Sequence, residues 1–170
     1  MNFIKTTSAI VLALLIGCSS VTKEYTFLLL AVDEERAMNV KGMSQKDAEA
    51  FGDIILTDKR DENIKYLVKA KSILDDSMII HAEAFINEFP HGGDKYLINL
   101  QLSKDGTKIF SDFTAKNTGN RIAIVLNSKV YSAPIIAQQI KGGTVQITGD
   151  FSKEKAFEIV NSINLKKGKI

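Results

Sequence analysis

The most restrictive feature of this sequence is the stretch of residues 121–126, which is apolar throughout from Ile122 onward. A strand with one wet face alternates apolar and polar residues, whereas a continuous apolar run is suited to a strand buried on both faces. Residues 127–129 (Asn-Ser-Lys) predict a turn into a second strand at residues 130–133. Pro134 either ends the pairing of that second strand or places it on a sheet edge. The fold is therefore expected to contain a buried strand followed by a partner strand.

The remaining segments alternate between strand and helix patterns. Ser44 with Asp47 predicts the start of one helix, and its apolar spacing extends that helix to Ile55. Ser103 predicts a helix through Asn117, and a third helix begins at Ser152 and buries Ala156, Phe157, Ile159, Val160 and Ile163. Strand patterns occupy residues 25–32, 64–70, 78–87, 96–102 and 144–148. This order predicts an α+β fold: a mixed or mostly antiparallel sheet with helices packed on one face.

The N-terminus has the layout of a signal peptide. One basic residue, Lys5, precedes the short apolar stretch of residues 8–16, which is too short to span a membrane. Residues 15–18 (Leu-Ile-Gly-Cys) resemble the lipobox of bacterial lipoproteins, which implies cleavage after residue 17 and lipidation of Cys18, the only cysteine of the chain. By resemblance to sorted lipoproteins, Ser19 favours the outer membrane, facing the periplasm, if the source has one. The alternative is a soluble secreted protein with a chance cysteine in its signal.

Composition narrows the classes of function. With 22 basic and 20 acidic residues the net charge is +2, which gives no general attraction to nucleic acid. A chain of 170 residues with 45% hydrophobic residues forms a core without disulfides or a structural metal. We therefore expect one compact domain that binds no nucleic acid.

Two ordered segments resemble a known family. Residues 121–136 (RIAIVLNSKVYSAPII) are similar to the segment "lAIVLdGkVySAPvi", and residues 142–151 match "itGGsgqIsGnF" at the same spacing. Residues 102–110 look like "LnseGakkF". These motifs belong to the head subdomain of the large periplasmic domain of SecD, a subunit of the bacterial SecDF protein-export complex. The resemblance covers residues 67–165, and it implies a SecD periplasmic head-like fold.

The signal-peptide pattern and the family resemblance together predict how the chain is divided into segments. The expected segments are a signal peptide (1–17), a lipidated tether (18–23), an N-terminal α/β portion that matches the family poorly (24–66), the SecD head-like domain (67–165) and a basic tail (166–170). In the family, the head belongs to a membrane protein whose spans couple proton flow to export. The sequence after residue 165 holds no such span, so we expect no proton-driven motor and retain only the contact of the head with exported polypeptide.

Candidate catalytic and ligand-binding residues are few. His81 and Glu83 lack the Pro-Cys-x-x-Cys partner of zinc deaminases, and His91 has no second histidine at metal spacing. Ser132 lacks a Gly-x-Ser-x-Gly elbow, and Asp75 with Asp76 is typical of a solvated turn. Glycines 142 and 143 lack the partners of a phosphate loop and indicate a hairpin turn. The sequence therefore predicts no enzyme activity, cofactor, metal or small-molecule substrate.

The predicted binding region is the turn and strand around Pro134. An edge strand here accepts an extended peptide by addition to the sheet, unless the N-terminal portion covers it. Two functions remain open. The first is an accessory of protein export that binds unfolded exported polypeptides or the export machinery, and the second is an envelope lipoprotein that binds one specific protein partner. The residues assigned to binding are Lys129, Tyr131, Ser132, Ala133, Pro134 and Ile135.

Overall fold

The computed structural model describes residues 26–37, 40–87 and 95–167. The predicted signal peptide, Cys18, the predicted tether, His91 and residues 168–170 of the predicted basic tail lie outside these ranges. Four helices and nine strands fall within them. The helices are α1 (Glu34–Ala37), α2 (Gln45–Ala50), α3 (Lys104–Lys116) and α4 (Lys153–Lys167). The strands are β1 (Phe27–Ala31), β2 (Asp53–Asp58), β3 (Lys65–Lys69), β4 (Leu74–Asp75), β5 (Ile79–Asn87), β6 (Lys95–Leu102), β7 (Ile122–Leu126), β8 (Lys129–Ser132) and β9 (Thr144–Phe151).

The larger sheet is built around the predicted buried strand. Its six strands have the order β3-β2-β8-β7-β1-β4, and β7 is buried along its whole length. β1 pairs antiparallel with β7 from Phe27 opposite Leu126 to Ala31 opposite Ile122. The turn after β7 is shorter than the sequence suggests, because Lys129 already pairs with Leu126. The continuous apolar run thus identifies the central strand correctly.

The smaller sheet contains the predicted hairpin. β5 and β6 pair antiparallel, and β9 joins the free side of β6, which gives the order β5-β6-β9. Because β8 and β9 belong to different sheets, the glycines 142 and 143 do not form a hairpin turn. The carbonyl of Gly143 instead accepts a hydrogen bond from the amide of Leu102 at 2.8 Å. The α+β class is confirmed, with its strands divided between a mixed sheet and an antiparallel sheet.

One core joins the two sheets. Its main cluster combines residues from β1 and β7 with residues from β6, β9, α3 and α4. A smaller cluster on the opposite face of β1 and β7 contains Leu30, Ala123 and Val125. Helix α4 contributes Ala156, Ile159, Val160 and Ile163 as predicted, but Phe157 remains 41% exposed at the rim of the core.

The helix predicted to begin at Ser44 is much shorter than its apolar pattern suggests. Ser44 and Asp47 form the expected capping box, but α2 ends at Ala50. Gly52 then adopts a φ of 73°, a left-handed conformation that turns the chain into β2. Ile54 and Ile55 therefore lie in a strand, because the glycine overrides the helical spacing of the apolar residues.

The N-terminal portion is continuous with the rest of the domain. β2 pairs antiparallel with β3 and parallel with β8, and β1 lies between β7 and β4. The division placed after residue 66 falls inside β3. Residues on both sides of that division therefore build one sheet. Across the described ranges, no helix is both long and apolar enough to cross a membrane.

Candidate functional site

A cleft of about 340 Å³ lies where the two sheets approach each other, at the start of α4. Tyr131 from β8 and Phe151 at the end of β9 line the cleft together. The turn after β2 and the first turn of α4 complete the rim. The cleft is lined by Lys59, Arg60, Tyr131, Gly149, Phe151, Ser152 and Lys155.

Two stacked rings form the apolar part of this cleft. The rings of Tyr131 and Phe151 are 5.4 Å apart between centroids and inclined by only 14°. The β9 segment before Phe151 bulges opposite β6, because the pairing skips from Ile147 to Phe151. A Cβ on Gly149 would lie 2.8 Å from the Phe151 ring, so a glycine is required for that ring to occupy its position. The bulge and the glycine together present an aromatic surface.

Cationic side chains surround the aromatic pair. Lys59 and Arg60 come from the turn after β2, and Lys155 comes from the first turn of α4. The Nε atom of Arg60 lies 3.6 Å from Oδ1 of Asp58, and Nζ of Lys155 lies 3.2 Å from Oε2 of Glu158. An aromatic surface with a basic rim suits polypeptide segments that carry aromatic and acidic side chains.

Asp58 fixes the turn that carries two of these cations. Its buried carboxylate accepts hydrogen bonds from the backbone amides of Arg60 at 2.8 Å and Asp61 at 3.4 Å. Burial raises the pKa of Asp58, but these amides and the Arg60 guanidinium outweigh burial, so its pKa lies below the ordinary value. The carboxylate therefore stays ionised and holds the turn at neutral pH.

The structure separates the six residues that the sequence assigns to binding. Tyr131 alone among them lines the cleft. Nζ of Lys129 donates to Oγ1 of Thr57 at 2.8 Å and to Oε1 of Glu62 at 3.0 Å. Oγ of Ser132 is buried and has no hydrogen-bond partner among the described residues. These three side chains therefore have three different environments.

The other three predicted residues follow β8. Ala133 packs against the smaller core cluster. Pro134 lines a separate apolar cavity of about 120 Å³, and its carbonyl accepts a hydrogen bond from the amide of Ile122 at 3.1 Å. Ile135 forms an isolated bridge with Arg121 and is 59% exposed. Pairing with the β7 side therefore continues past the proline.

The first two residues of β8 lie in the interior of the larger sheet, with a neighbouring strand on each side. β2 pairs with Lys129 and Val130, and the amide of Lys59 donates to the carbonyl of Val130 at 2.8 Å. The N-terminal portion thus covers this side of β8 at those two residues, and the register with β2 ends there. The binding role of the six residues stays a prediction.

Sequence reasoning missed several residues of the cleft. Lys59 and Arg60 follow a segment that the sequence assigns to a helix, so their approach to Tyr131 was not foreseen. Gly149 and Phe151 belong to the second family-like motif, and that motif was the available signal. Their placement beside Tyr131 shows that the two motifs meet in space.

The other candidate residues in the described ranges do not line the cleft. Oδ1 of Asp75 accepts from the amide of Ser77 at 2.9 Å and caps the 3-10 turn Asp76–Met78. His81 and Glu83 are exposed on β5. Within the described part of the chain, no group of three or more His, Cys, Asp or Glu side chains is arranged to hold a metal ion.

A cluster of four charges joins α1 to β2 and β3. Asp33 accepts from Nη2 of Arg36 at 2.7 Å and from Nζ of Lys69 at 2.6 Å. The same two cations lie 3.0 Å from Oδ2 and Oδ1 of the buried Asp53, respectively, without hydrogen-bond geometry. The guanidinium of Arg36 also lies 4.8 Å from the centroid of the Phe51 ring. These contacts pair each buried carboxylate with two cations, as burial of a charge requires.

The fold and the cleft define a two-sheet α+β domain with an aromatic and basic cleft where its sheets meet. A sequence model of the family described as SecDF, P1 head subdomain, matches residues 53–169. The match covers more than half of the chain, and the chain therefore belongs to this family. It also includes every residue that lines the cleft.

Curated relatives agree with this assignment. The protein translocase subunit SecD of Calditerrivibrio nitroreducens is 36% identical over 96 residues, which cover 56% of this chain and 18% of the relative. The SecD subunit of Dictyoglomus turgidum is 35% identical over 112 residues, which cover 66% of this chain and 26% of the relative. The matched region thus spans about a fifth to a quarter of these relatives.

Solved structures share the fold. One, described as SecDF, a membrane component that enhances protein export, has a TM-score of 0.60 at 24% identity and covers 84% of this chain and 63% of that chain. Another, SecDF in the super-membrane-facing form, has a TM-score of 0.58 at 24% identity and covers 82% of this chain and 18% of that chain. This likeness confirms the SecDF head-like architecture.

Proposed function

We propose that this chain is a non-enzymatic, lipid-anchored accessory of protein export whose head domain contacts unfolded exported polypeptides or the export machinery. The observation that carries the proposal is the SecDF P1 head match, because it includes all the residues that line the Tyr131 cleft. The curated relatives are named protein translocase subunits. The cell envelope, on the periplasmic side of a membrane, is the compartment where such a contact takes place.

The proposed contact surface is the Tyr131 cleft. The stacked rings of Tyr131 and Phe151 offer apolar area that does not depend on one exact sequence. Lys59 and Arg60 attract acidic side chains in the same segment. A surface of this kind suits many clients at low affinity. The exposed Ile135 extends the predicted binding region along the next segment of the chain.

Catalysis is not part of the proposal. Ser132 is a serine whose sequence context argues against a nucleophile, and its hydroxyl is buried without a hydrogen-bond partner among the described residues. A serine nucleophile needs an adjacent base to remove its proton. The described surroundings of Ser132 supply none.

In-cell crosslinking tests the contact. A photoreactive residue at position 131 of the full chain is expected to capture export-channel subunits or many exported polypeptides. A matched probe at Lys108, which is exposed on α3, is expected to capture few of them. Recovery of one specific envelope protein from position 131 would support the second function and overturn the export role, and equal capture from both positions would overturn the assignment of the cleft.

The lipid anchor has its own test. Cys18→Ala is expected to abolish incorporation of labelled palmitate and to release the chain from the membrane fraction, because the lipid is attached through the cysteine. Retention of the variant in the membrane fraction, or an unlabelled wild-type chain, would overturn the anchor without affecting the crosslinking result.

A further inference from the structure

Asn164 on α4 binds the backbone of β5 as a neighbouring strand would. Its Nδ2 donates to the carbonyl of Ala82 at 2.9 Å, and its Oδ1 accepts from the amide of Ala82 at 2.9 Å. A side-chain amide that uses both groups on one residue reproduces the pairing of a peptide group. The side of β5 that faces away from β6 is thus already recognised by an amide at one position.

The contact at Ala82 also fixes the direction of the other backbone groups of β5. Successive residues of a strand direct their amides and carbonyls alternately to the two sides. The β5–β6 register is continuous from His81 to Asn87, so Ala84 and Ile86 share the outward direction of Ala82. Within the described ranges β5 pairs with β6 alone, and no hydrogen bond to the outward groups of Ala84 or Ile86 is found.

Apolar side chains flank this open part of the edge. Ile86 is 48% exposed and pairs with Tyr96 on β6. The Tyr96 ring contacts Phe157 of α4 edge-on, with centroids 6.0 Å apart, and Phe157 is 41% exposed. An added strand would therefore find backbone partners at the edge and apolar area on the side of α4.

We propose that the β5 edge at Ala84 and Ile86 accepts an extended polypeptide segment as a fourth strand of the smaller sheet. Main-chain hydrogen bonds would give affinity, and the apolar area of Ile86 and Phe157 would favour segments with apolar side chains at alternate positions. Asn164 limits the length of the added strand, because it already occupies the groups of Ala82. This site shares no residue with the Tyr131 cleft and does not depend on a role in export.

Ala84→Pro tests the site while preserving the fold. The amide of Ala84 points away from β6, so a proline there removes an outward donor without removing a hydrogen bond of the β5–β6 ladder. Ala84→Ser keeps the amide and is the matched control. The probe is a short fluorescent peptide of alternating Val and Thr with Lys at each end, added to the whole mature chain.

We expect Ala84→Pro to raise the Kd of this peptide by about fivefold or more, the effect of losing one hydrogen bond. Ala84→Ser is expected to bind as wild type. The same peptide with N-methyl groups on alternate amides lacks part of its backbone donors. It should bind the wild type about as weakly as the unmodified peptide binds Ala84→Pro. Protection of the Ala84 and Ile86 amides from hydrogen exchange would identify the edge directly, and the exchange of the core amides confirms that each variant is folded.

Asn164→Ala is expected to change the affinity for the peptide in the opposite direction. It frees the groups of Ala82, so the peptide is expected to bind about fivefold more tightly and to protect the Ala82 amide. Unchanged affinity in Ala84→Pro, or equal binding of the N-methylated peptide, would overturn the proposal. Binding that is lost in Tyr131→Ala and retained in Ala84→Pro would place the peptide in the cleft, and a peptide that does not bind the wild type would also overturn the edge site. The crosslinking at position 131 tests the export role separately.

Discussion

Nζ of Lys69 lies 2.6 Å from Oδ2 of Asp33, although 36 residues separate the two in sequence. The same ammonium lies 3.0 Å from Oδ1 of Asp53 at the start of β2. Hydrogen bonding to Asp33 raises the pKa of Lys69, partly opposed by desolvation and supported by Asp53. The contact joins the segment before α1 to the end of β3, so this cation helps to hold the N-terminal portion on the sheet.

Lys69→Met is therefore expected to destabilise the domain by about 2 kcal/mol, between the values for exposed and for fully buried ion pairs. It leaves two buried carboxylates with one cation fewer. Urea denaturation measures the change. The control is Lys108→Met, which removes the exposed pair with Asp112 and should leave the unfolding midpoint nearly unchanged. Equal effects of the two substitutions would contradict a specific role for Lys69.

Stability is expected to fall in acid. Burial raises the pKa of Asp33, but hydrogen bonds from Lys69 and the Arg36 amide outweigh it and hold the pKa below the ordinary value. A carboxylate with a lowered folded-state pKa contributes stability above its unfolded pKa of about 3.9, and that contribution is lost as the pH falls through the folded pKa. The raised pKa of Lys69 has the opposite sense, and its contribution is lost only as the pH rises above about 10.4.

The unfolding midpoint in urea should thus be nearly constant from about pH 5 to pH 9 and decrease below about pH 4. In Asp33→Asn the midpoint at pH 7 is expected to be lower, and its decrease in acid is expected to be smaller. A variant that keeps the full acid dependence of the wild type would show that other carboxylates cause it.

The turn between β7 and β8 contains two residues with positive φ, Asn127 at 49° and Ser128 at 61°. Asn127 is fixed there because its Oδ1 accepts from the amide of Thr26 at 2.8 Å and its own amide donates to the Thr26 carbonyl at 3.0 Å. Ser128 makes no such contact with the described residues, and a two-residue turn of this geometry favours Asn-Gly. Ser128→Gly is expected to stabilise the domain by about 1 kcal/mol in thermal or urea unfolding. Ser128→Ala, which keeps a Cβ, should not; a gain of the same size in both variants would exclude backbone strain as the cause.

Ser132 and Thr114 each carry a buried hydroxyl, and removal of the two hydroxyls is expected to change the stability of the domain in opposite directions. Oγ of Ser132 has no partner among the described residues, so Ser132→Ala is expected to stabilise by about 1 kcal/mol. Oγ1 of Thr114 donates to the Phe110 carbonyl and accepts from the Ile140 amide, both at 2.9 Å. Thr114→Val is expected to destabilise by about 1–2 kcal/mol. Calorimetry checks both values, and loss of stability in Ser132→Ala would mean that its hydroxyl has a partner.

Local sequence determined the elements and the family. The apolar run of residues 121–126 specified the central strand, because no polar residue gave that strand a wet face. Ser103 specified the start of α3, because its hydroxyl accepts from the amide of Gly106 at 3.1 Å. The two segments around Tyr131 and Phe151 that resemble family motifs indicated the SecD head. Each of these signals depends on residues close together in the chain.

Tertiary structure decided how distant segments meet. The periodicity of the apolar residues could not show that the chain turns at Gly52 and continues as β2. That outcome depends on the strands with which β2 pairs. Nor could spacing place Lys59 and Arg60 beside Tyr131, or pair Asn164 with the edge of β5 across 82 residues. These contacts depend on the order of strands in two sheets that share one core. That order is selected by packing the whole chain, so the sequence determined the parts and the common core decided which side chains and backbone groups face each other.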